Sequence, residues 1–159
     1  MTRKEQYEQL TTQIVGLIKD ETNLVGILAN VSAALHDTFP ERFFWVGFYL
    51  QENGNMLRLG PFQGSVAWYT IPFGKGVCGK AWEEGCTLIV PDVEKFPGHI
   101  ACSSLSRSEI VVPMYDDAHT FRGVLDIDST RLNDFDEDDK EGLGRIIDLL
   151  MEETQDLFL

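Results

Sequence analysis

The apolar residues of this chain change their spacing at Pro40, and that change limits the chain to folds that lay helices against a sheet. Before Pro40, Leu10, Ile14, Leu17 and Ile18 recur at helical intervals, as do Leu24, Ile27, Leu28, Val31 and Leu35 after a break and cap at Glu21-Thr22-Asn23. From Phe43 the period is two and strand-forming residues take over. Runs 43–50 and 56–62 flank Glu52-Asn53-Gly54-Asn55, in which Asn-Gly signals a tight hairpin. Further strands are expected over 67–73, 87–90, 109–115 and 122–128, with the glycine-rich turn Gly74-Lys75-Gly76-Val77-Cys78-Gly79 opening a short helix. A last helix starts near Asp134. Its first turn carries Asp136, Glu137, Asp138 and Asp139, which complement the positive end of the helix dipole, and Leu143, Ile146, Ile147, Leu150 and Met151 form its apolar stripe. This order predicts an α+β fold with a mostly antiparallel central sheet of about six strands and helices on both sides.

Size and charge narrow the functional classes. At 159 residues and 43% hydrophobic content, the chain is expected to form one domain over 1–159. A net charge of -13 repels nucleic acid and anionic membrane, so neither is expected as a partner. No apolar run reaches the length of a membrane span, and Met1-Thr2-Arg3-Lys4-Glu5 leads into a polar helix, which predicts a cytoplasmic location. Three cysteines do not make a secreted disulfide framework; they read as free, catalytic or metal-binding thiols. The stripes of the first and last helices suit either a core or a homodimer seam, which periodicity does not distinguish.

Strand alternation sorts the chemistry-bearing residues onto faces. Trp45, Gly47 and Tyr49 share one face of the first strand, and Phe44, Val46, Phe48 and Leu50 take the other. A glycine between two aromatics leaves a gap that a small molecule could fill, or the rings simply pack in a core. In the last strand Asp126 and Asp128 lie opposite Leu125 and Ile127, and Glu109 aligns with Val111 and Pro113. On the Trp45 and Tyr49 face these acids would be buried and would need hydrogen-bond donors or a cation. Three acids and two aromatics around a hollow suit the ammonium group of a small, partly apolar ligand. The same acids repel phosphate, so residues 74–79 read as a turn and not as a phosphate cradle.

Cys102 is the candidate nucleophile, in the loop Phe96-Pro97-Gly98-His99-Ile100-Ala101-Cys102-Ser103-Ser104 between two apolar runs, with His99 three residues before it to stabilise a thiolate. Cys78 falls at the head of the short helix, where the dipole lowers a thiol pKa; it reads equally as a redox partner for Cys102 or as a small packing residue. Cys86, between a turn and a strand, reads as structural. Cys78, Cys86, His99 and Cys102 lack the paired spacing of structural zinc sites, and neither a metal nor a cofactor is expected.

Taken together, Gly60-Pro61-Phe62-Gln63-Gly64, residues 74–79, the Phe96 to Cys102 block, Ser108-Glu109-Ile110-Val111-Val112-Pro113 and Gly123-Val124-Leu125-Asp126-Ile127-Asp128-Ser129 closely resemble the free methionine-(R)-sulfoxide reductases, single-domain enzymes of the GAF fold. The resemblance runs from Trp45 to Phe135. It implies reduction of free methionine-(R)-sulfoxide, with Cys102 attacking the sulfoxide sulfur and Glu109, Asp126, Asp128, Trp45 and Tyr49 forming the amino-acid pocket. It further implies a sulfenic acid at Cys102, a disulfide with a second thiol, and thioredoxin as reductant. The chain departs from the family pattern at Trp68, where the resolving cysteine usually stands, and more mildly at Ser103, where an acid is commoner. Cys78 is the expected replacement resolver; an external thiol or impaired turnover are the alternatives. The rival reading is a non-catalytic ligand-binding GAF module.

Overall fold

Side-chain hydrogen bonds cap three of the four described α-helices, and one of these caps falls within Glu21-Thr22-Asn23 as expected. The computed structural model describes residues 1–100 and 103–158. Helix α1 (Arg3–Ile18) opens on a capping box, in which Thr2 Oγ1 accepts from the Glu5 amide and Glu5 Oε1 accepts from the Thr2 amide. Helix α2 (Leu24–Thr38) is capped by the Asn23 side chain and stops just before Pro40, whose ring cannot continue it. The Asn-Gly hairpin joins β1 (Trp45–Glu52) to β2 (Met56–Gln63). There follow β3 (Thr70–Pro72), helix α3 (Gly76–Glu84), β4 (Leu88–Val90), β5 (Ser108–Tyr115), β6 (Phe121–Ser129) and helix α4 (Glu137–Thr154). Asp136 caps α4 in a second capping box with Asp139.

The six strands form one sheet in the order β3-β2-β1-β6-β5-β4, and every neighbouring pair is antiparallel. One face carries α2 and α4 over Val46, Phe48, Ile110, Val112, Leu125 and Ile127, with α1 packed against both helices. The other carries α3 over Trp45, Tyr49, Val111 and Val124. The α+β fold, the antiparallel six-stranded sheet and the placement of helices on both sides are therefore as the sequence predicts.

Two expectations change. The run over 67–73 contributes only three residues of strand, because β3 is an edge that pairs with β2 alone; Trp68 and Tyr69 lie outside it, exposed to solvent. The apolar stripes of α1 and α4 are not a free seam. Tyr7, Leu10, Ile14 and Ile18 pack with Leu143, Ile146, Ile147, Leu150 and Met151 in the core, whereas Leu17 of the same stripe stays exposed. A buried polar tie fixes these two helices to the start of β1. The Tyr7 hydroxyl donates to Asp139 Oδ1 at 2.6 Å, and Arg42 donates to Asp139 Oδ2 at 2.8 Å.

Candidate active site

The register of three strands gathers the acids. Trp45 pairs with Asp128 and Gly47 with Asp126 across β1 and β6, while Glu109 pairs with Asp128 and Val111 with Asp126 across β5 and β6. Partners directly across a ladder point to the same face, so Trp45, Tyr49, Glu109, Asp126 and Asp128 stand together, the arrangement that alternation left as one of two possibilities. All three acids are buried: Glu109 is 5%, Asp126 5% and Asp128 7% exposed.

Helix α3 closes over this face and lowers Cys78 onto the acids. Cys78 Sγ, a carboxylate oxygen of Glu109 and one of Asp126 all lie within 4.8 Å of one another. From the loop before β5, His99 Nε2 reaches 3.5 Å from Glu109 Oε1. Cys78, His99, Ile100, Glu109, Asp126 and Asp128 wall a cavity of about 20 Å³, room for one water-sized sphere. Trp45 and Tyr49 lie outside those walls, in the adjoining apolar cluster. Cys102 lies outside the described residues. A larger hollow of about 80 Å³ between α1 and α4 is bordered by side chains such as Lys4, Glu8 and Arg145 and gathers no comparable set of buried reactive groups.

Burial decides the protonation of this cluster. It pushes Glu109, Asp126 and Asp128 well above the usual carboxylate range, and the acids raise one another further: Asp128 acts on Glu109, Glu109 on Asp126, and Asp126 on Asp128. At least one therefore stays neutral where a lone carboxyl would ionise. The Cys78 thiol behaves differently from the sequence expectation. It stands in the first turn of α3, yet burial, followed by repulsion from Asp126, Glu109 and Asp128, raises its pKa well above that of a free thiol. Desolvation and three nearby acids outweigh the helix dipole, whose effect is about 0.3–1 kcal/mol at exposed sites. Burial also lowers the His99 pKa and favours the neutral imidazole, which weakens the case for a cationic stabiliser of Cys102.

Two further readings are corrected and a third holds. The gap at Gly47 is not empty: a Cβ there would stand 2.2 Å from the Phe62 Cβ, because Phe62 crosses β1 at that point. Phe62 stacks on Trp45 at 5.1 Å, and Gly64, at φ 140°, leaves room for the same indole, 2.5 Å from a Cβ built there. The glycine is thus a packing requirement for aromatics and not an opening for a ligand. Cys86 is exposed and so fills no core space. The glycine-rich segment is a turn as expected, with the Gly74 amide bonded to the Gly79 carbonyl at 3.1 Å.

Sequence reasoning missed what the polar ends of the two aromatics do. The Trp45 indole donates to the Ser65 carbonyl and the Tyr49 hydroxyl to the Trp68 carbonyl, each at 2.9 Å. Together they fasten the connection that carries Trp68 to the floor of the site. Such side-chain to backbone bonds across about twenty residues leave no periodic signal in a sequence.

Comparison with known proteins gives this geometry a context. No protein-family model matches the chain. GAF domain-containing protein A of Dictyostelium discoideum is 57% identical over 149 residues, covering 94% of this chain and 92% of that protein. The free methionine-R-sulfoxide reductase of Saccharomyces cerevisiae is 42% identical over 155 residues, covering 94% and 86% respectively. The X-ray structure of the free methionine-R-sulfoxide reductase of Neisseria meningitidis in complex with its substrate aligns with a TM-score of 0.93 at 47% identity, over 98% of this chain and 92% of that one. With such identity over nearly its whole length, and with the sheet, the helices and the buried acids in place, the chain belongs to the free methionine-R-sulfoxide reductase family of GAF-fold proteins.

Proposed function

We propose that the protein reduces free methionine-(R)-sulfoxide to methionine as a thiol-dependent oxidoreductase, in a reducing compartment such as the cytoplasm. The observation that carries this reading is the convergence of three buried carboxyls and Cys78 on one cavity. Ile100 and Ser106, described residues on either side of Cys102, also border that cavity, which supports Cys102 as the nucleophile. In the proposed cycle the Cys102 thiolate attacks the sulfoxide sulfur and forms a sulfur–sulfur bond while a neutral carboxyl protonates the sulfoxide oxygen; that hydroxyl then moves to the Cys102 sulfur as the sulfur–sulfur bond breaks and its electron pair stays with methionine. The products are methionine and a Cys102 sulfenic acid. A second thiol then displaces the sulfenic oxygen as water, forming a disulfide that a thioredoxin-type dithiol reduces.

The acids divide the work by position. Glu109 and Asp126 stand nearest Cys78 and their raised pKa values suit proton donation. Asp128, paired with Trp45 across β1 and β6, suits the substrate ammonium, with the indole and Tyr49 packed in the apolar cluster that adjoins the cavity. A residue inside a protein offers an amide nitrogen there, which explains a preference for the free amino acid. Cys78 is the proposed resolver in place of the family cysteine absent at Trp68. Burial keeps its thiol protonated, so resolution requires transfer of that proton to a neighbouring carboxylate. A cavity sized for one water also requires its wall at His99 and Ile100 to shift before an amino acid enters.

Turnover of free methionine-(R)-sulfoxide, read as NADPH oxidation through thioredoxin reductase and thioredoxin, tests the reading; the (S) epimer is the control. Trp68 at the usual resolving position favours a second reading, a ligand-binding module descended from a reductase. Saturable binding of the sulfoxide without single-turnover release of methionine would establish that alternative.

A further inference from the structure

We propose that Cys78, Glu109, Asp126 and His99 form a binding site for a zinc-type divalent transition-metal ion. The donor set is one thiol, one imidazole and two carboxylates. That mixture of sulfur, nitrogen and oxygen suits zinc and cobalt, whereas magnesium and calcium prefer oxygen alone.

Distances and burial support the assignment. Donors around a tetrahedral ion with bonds of about 2.0–2.3 Å are about 3.5 Å apart. The Cys78, Glu109 and Asp126 donor atoms lie within 4.8 Å of one another and form the core of the site. His99 Nε2 is 3.5 Å from Glu109 Oε1 but stands outside that mutual distance, so it reaches an ion only by turning further in from the cavity wall. Asp126 Oδ1 supplies an independent observation. It is fully shielded from solvent and accepts no hydrogen bond from any described residue, in a side chain that borders the cavity. Among the described residues no lysine or arginine pairs with Glu109, Asp126 or Asp128. A buried carboxylate oxygen without a donor or a cation is expensive, and a metal ion removes that cost. The cavity of about 20 Å³ accepts a single ion stripped of most of its water.

An ion held there occupies the groups proposed to donate the proton and resolve the sulfenic acid. Zinc would therefore inhibit reduction in competition with the sulfoxide; this consequence rests on the reductase reading, and the binding itself does not.

The test is titration of the reduced, metal-free full chain with cobalt(II) under anaerobic conditions. The expected result is a thiolate-to-cobalt charge-transfer band that saturates at one equivalent and is bleached by zinc. Cys78→Ser and Cys78→Ala remove the band, Cys86→Ser keeps it, and His99→Ala weakens zinc binding about tenfold or more. Circular dichroism of each variant separates loss of a ligand from loss of fold, and the serine and alanine variants back each other up. Absence of the band in the wild type, its survival in Cys78→Ala, or its loss in Cys102→Ser with retention in Cys78→Ala overturns the proposal. Because the band is read without substrate, a protein that fails to turn over sulfoxide still gives a decisive metal result.

Discussion

Trp45 and Asp128 face each other across the antiparallel ladder of β1 and β6, and Asp128 in turn faces Glu109 across β6 and β5. One row running across three strands thus holds an indole and two buried carboxyls. A cation with an apolar tail fits that row better than an anion or a neutral polar ligand does.

Asp128→Asn removes the charge proposed to hold the substrate ammonium while keeping the shape of the side chain. Loss of a charge-assisted hydrogen bond of about 1.5–3 kcal/mol raises KM for free methionine-(R)-sulfoxide by about 10–150-fold. Steady-state kinetics at fixed thioredoxin checks it, and an unchanged KM would move ammonium recognition to another group.

Cys78→Ser separates attack from resetting. A single turnover of methionine per enzyme survives in this variant, while thioredoxin-supported kcat falls about tenfold or more. Trp68→Cys restores a thiol at the usual resolving position on a residue that is 54% exposed, so the fold should accept it. That variant is expected to raise kcat and to yield a disulfide to Cys102 detectable by peptide mapping. Equal kcat in wild type and Cys78→Ser would assign resolution to an external thiol.

The buried acids cost stability at neutral pH, and the sign can be worked out. Asp126 holds its proton to a higher pH when folded than when unfolded, so its favourable contribution is complete below the ordinary carboxylate range. That contribution is lost as pH rises through the elevated folded value. Asp126→Asn is therefore expected to have a higher Tm than wild type at pH 8, with the advantage shrinking as pH falls to the ordinary carboxylate range. Thermal melts across that range read this directly. Reductase activity should also fall as pH rises, since the proton donor is lost in the same window.

Gly47→Ala tests the correction at the first strand. The added methyl meets Phe62 at 2.2 Å from its Cβ, so overpacking costs about 1–3 kcal/mol and displaces the ring stacked on Trp45. Denaturant unfolding reports the loss, and Trp45 fluorescence reports the displacement.

Asp139→Ala removes the shared acceptor of Tyr7 and Arg42 and leaves Arg42 without its closest buried carboxylate. Breaking a buried pair of this kind costs about 3–5 kcal/mol. The expected outcome is a large drop in Tm, with KM unchanged in the folded fraction, since the tie lies on the helical side of the sheet.

Local patterns in the sequence were sufficient for the element order and for pairing Trp45 with Tyr49 and Asp126 with Asp128 on single strand faces, because an alternating strand commits every second side chain to one surface. That these faces and Glu109 are one surface was implied by the family resemblance and depends on the strand register. They also placed a cap within Glu21-Thr22-Asn23, where Asn23 caps α2, but started the last helix near Asp134, whereas Asp136 is its cap. What only the tertiary structure decided depends on approach between distant segments. Phe62 fills the space at Gly47, Tyr49 and Trp45 fasten the Trp68 connection, and α3 presses Cys78 against three acids until its thiol is harder to ionise, not easier. The physical reason is one of range: periodicity and capping act within a few residues, whereas desolvation and close packing depend on which surfaces meet, and that is settled only when the sheet and α3 come together.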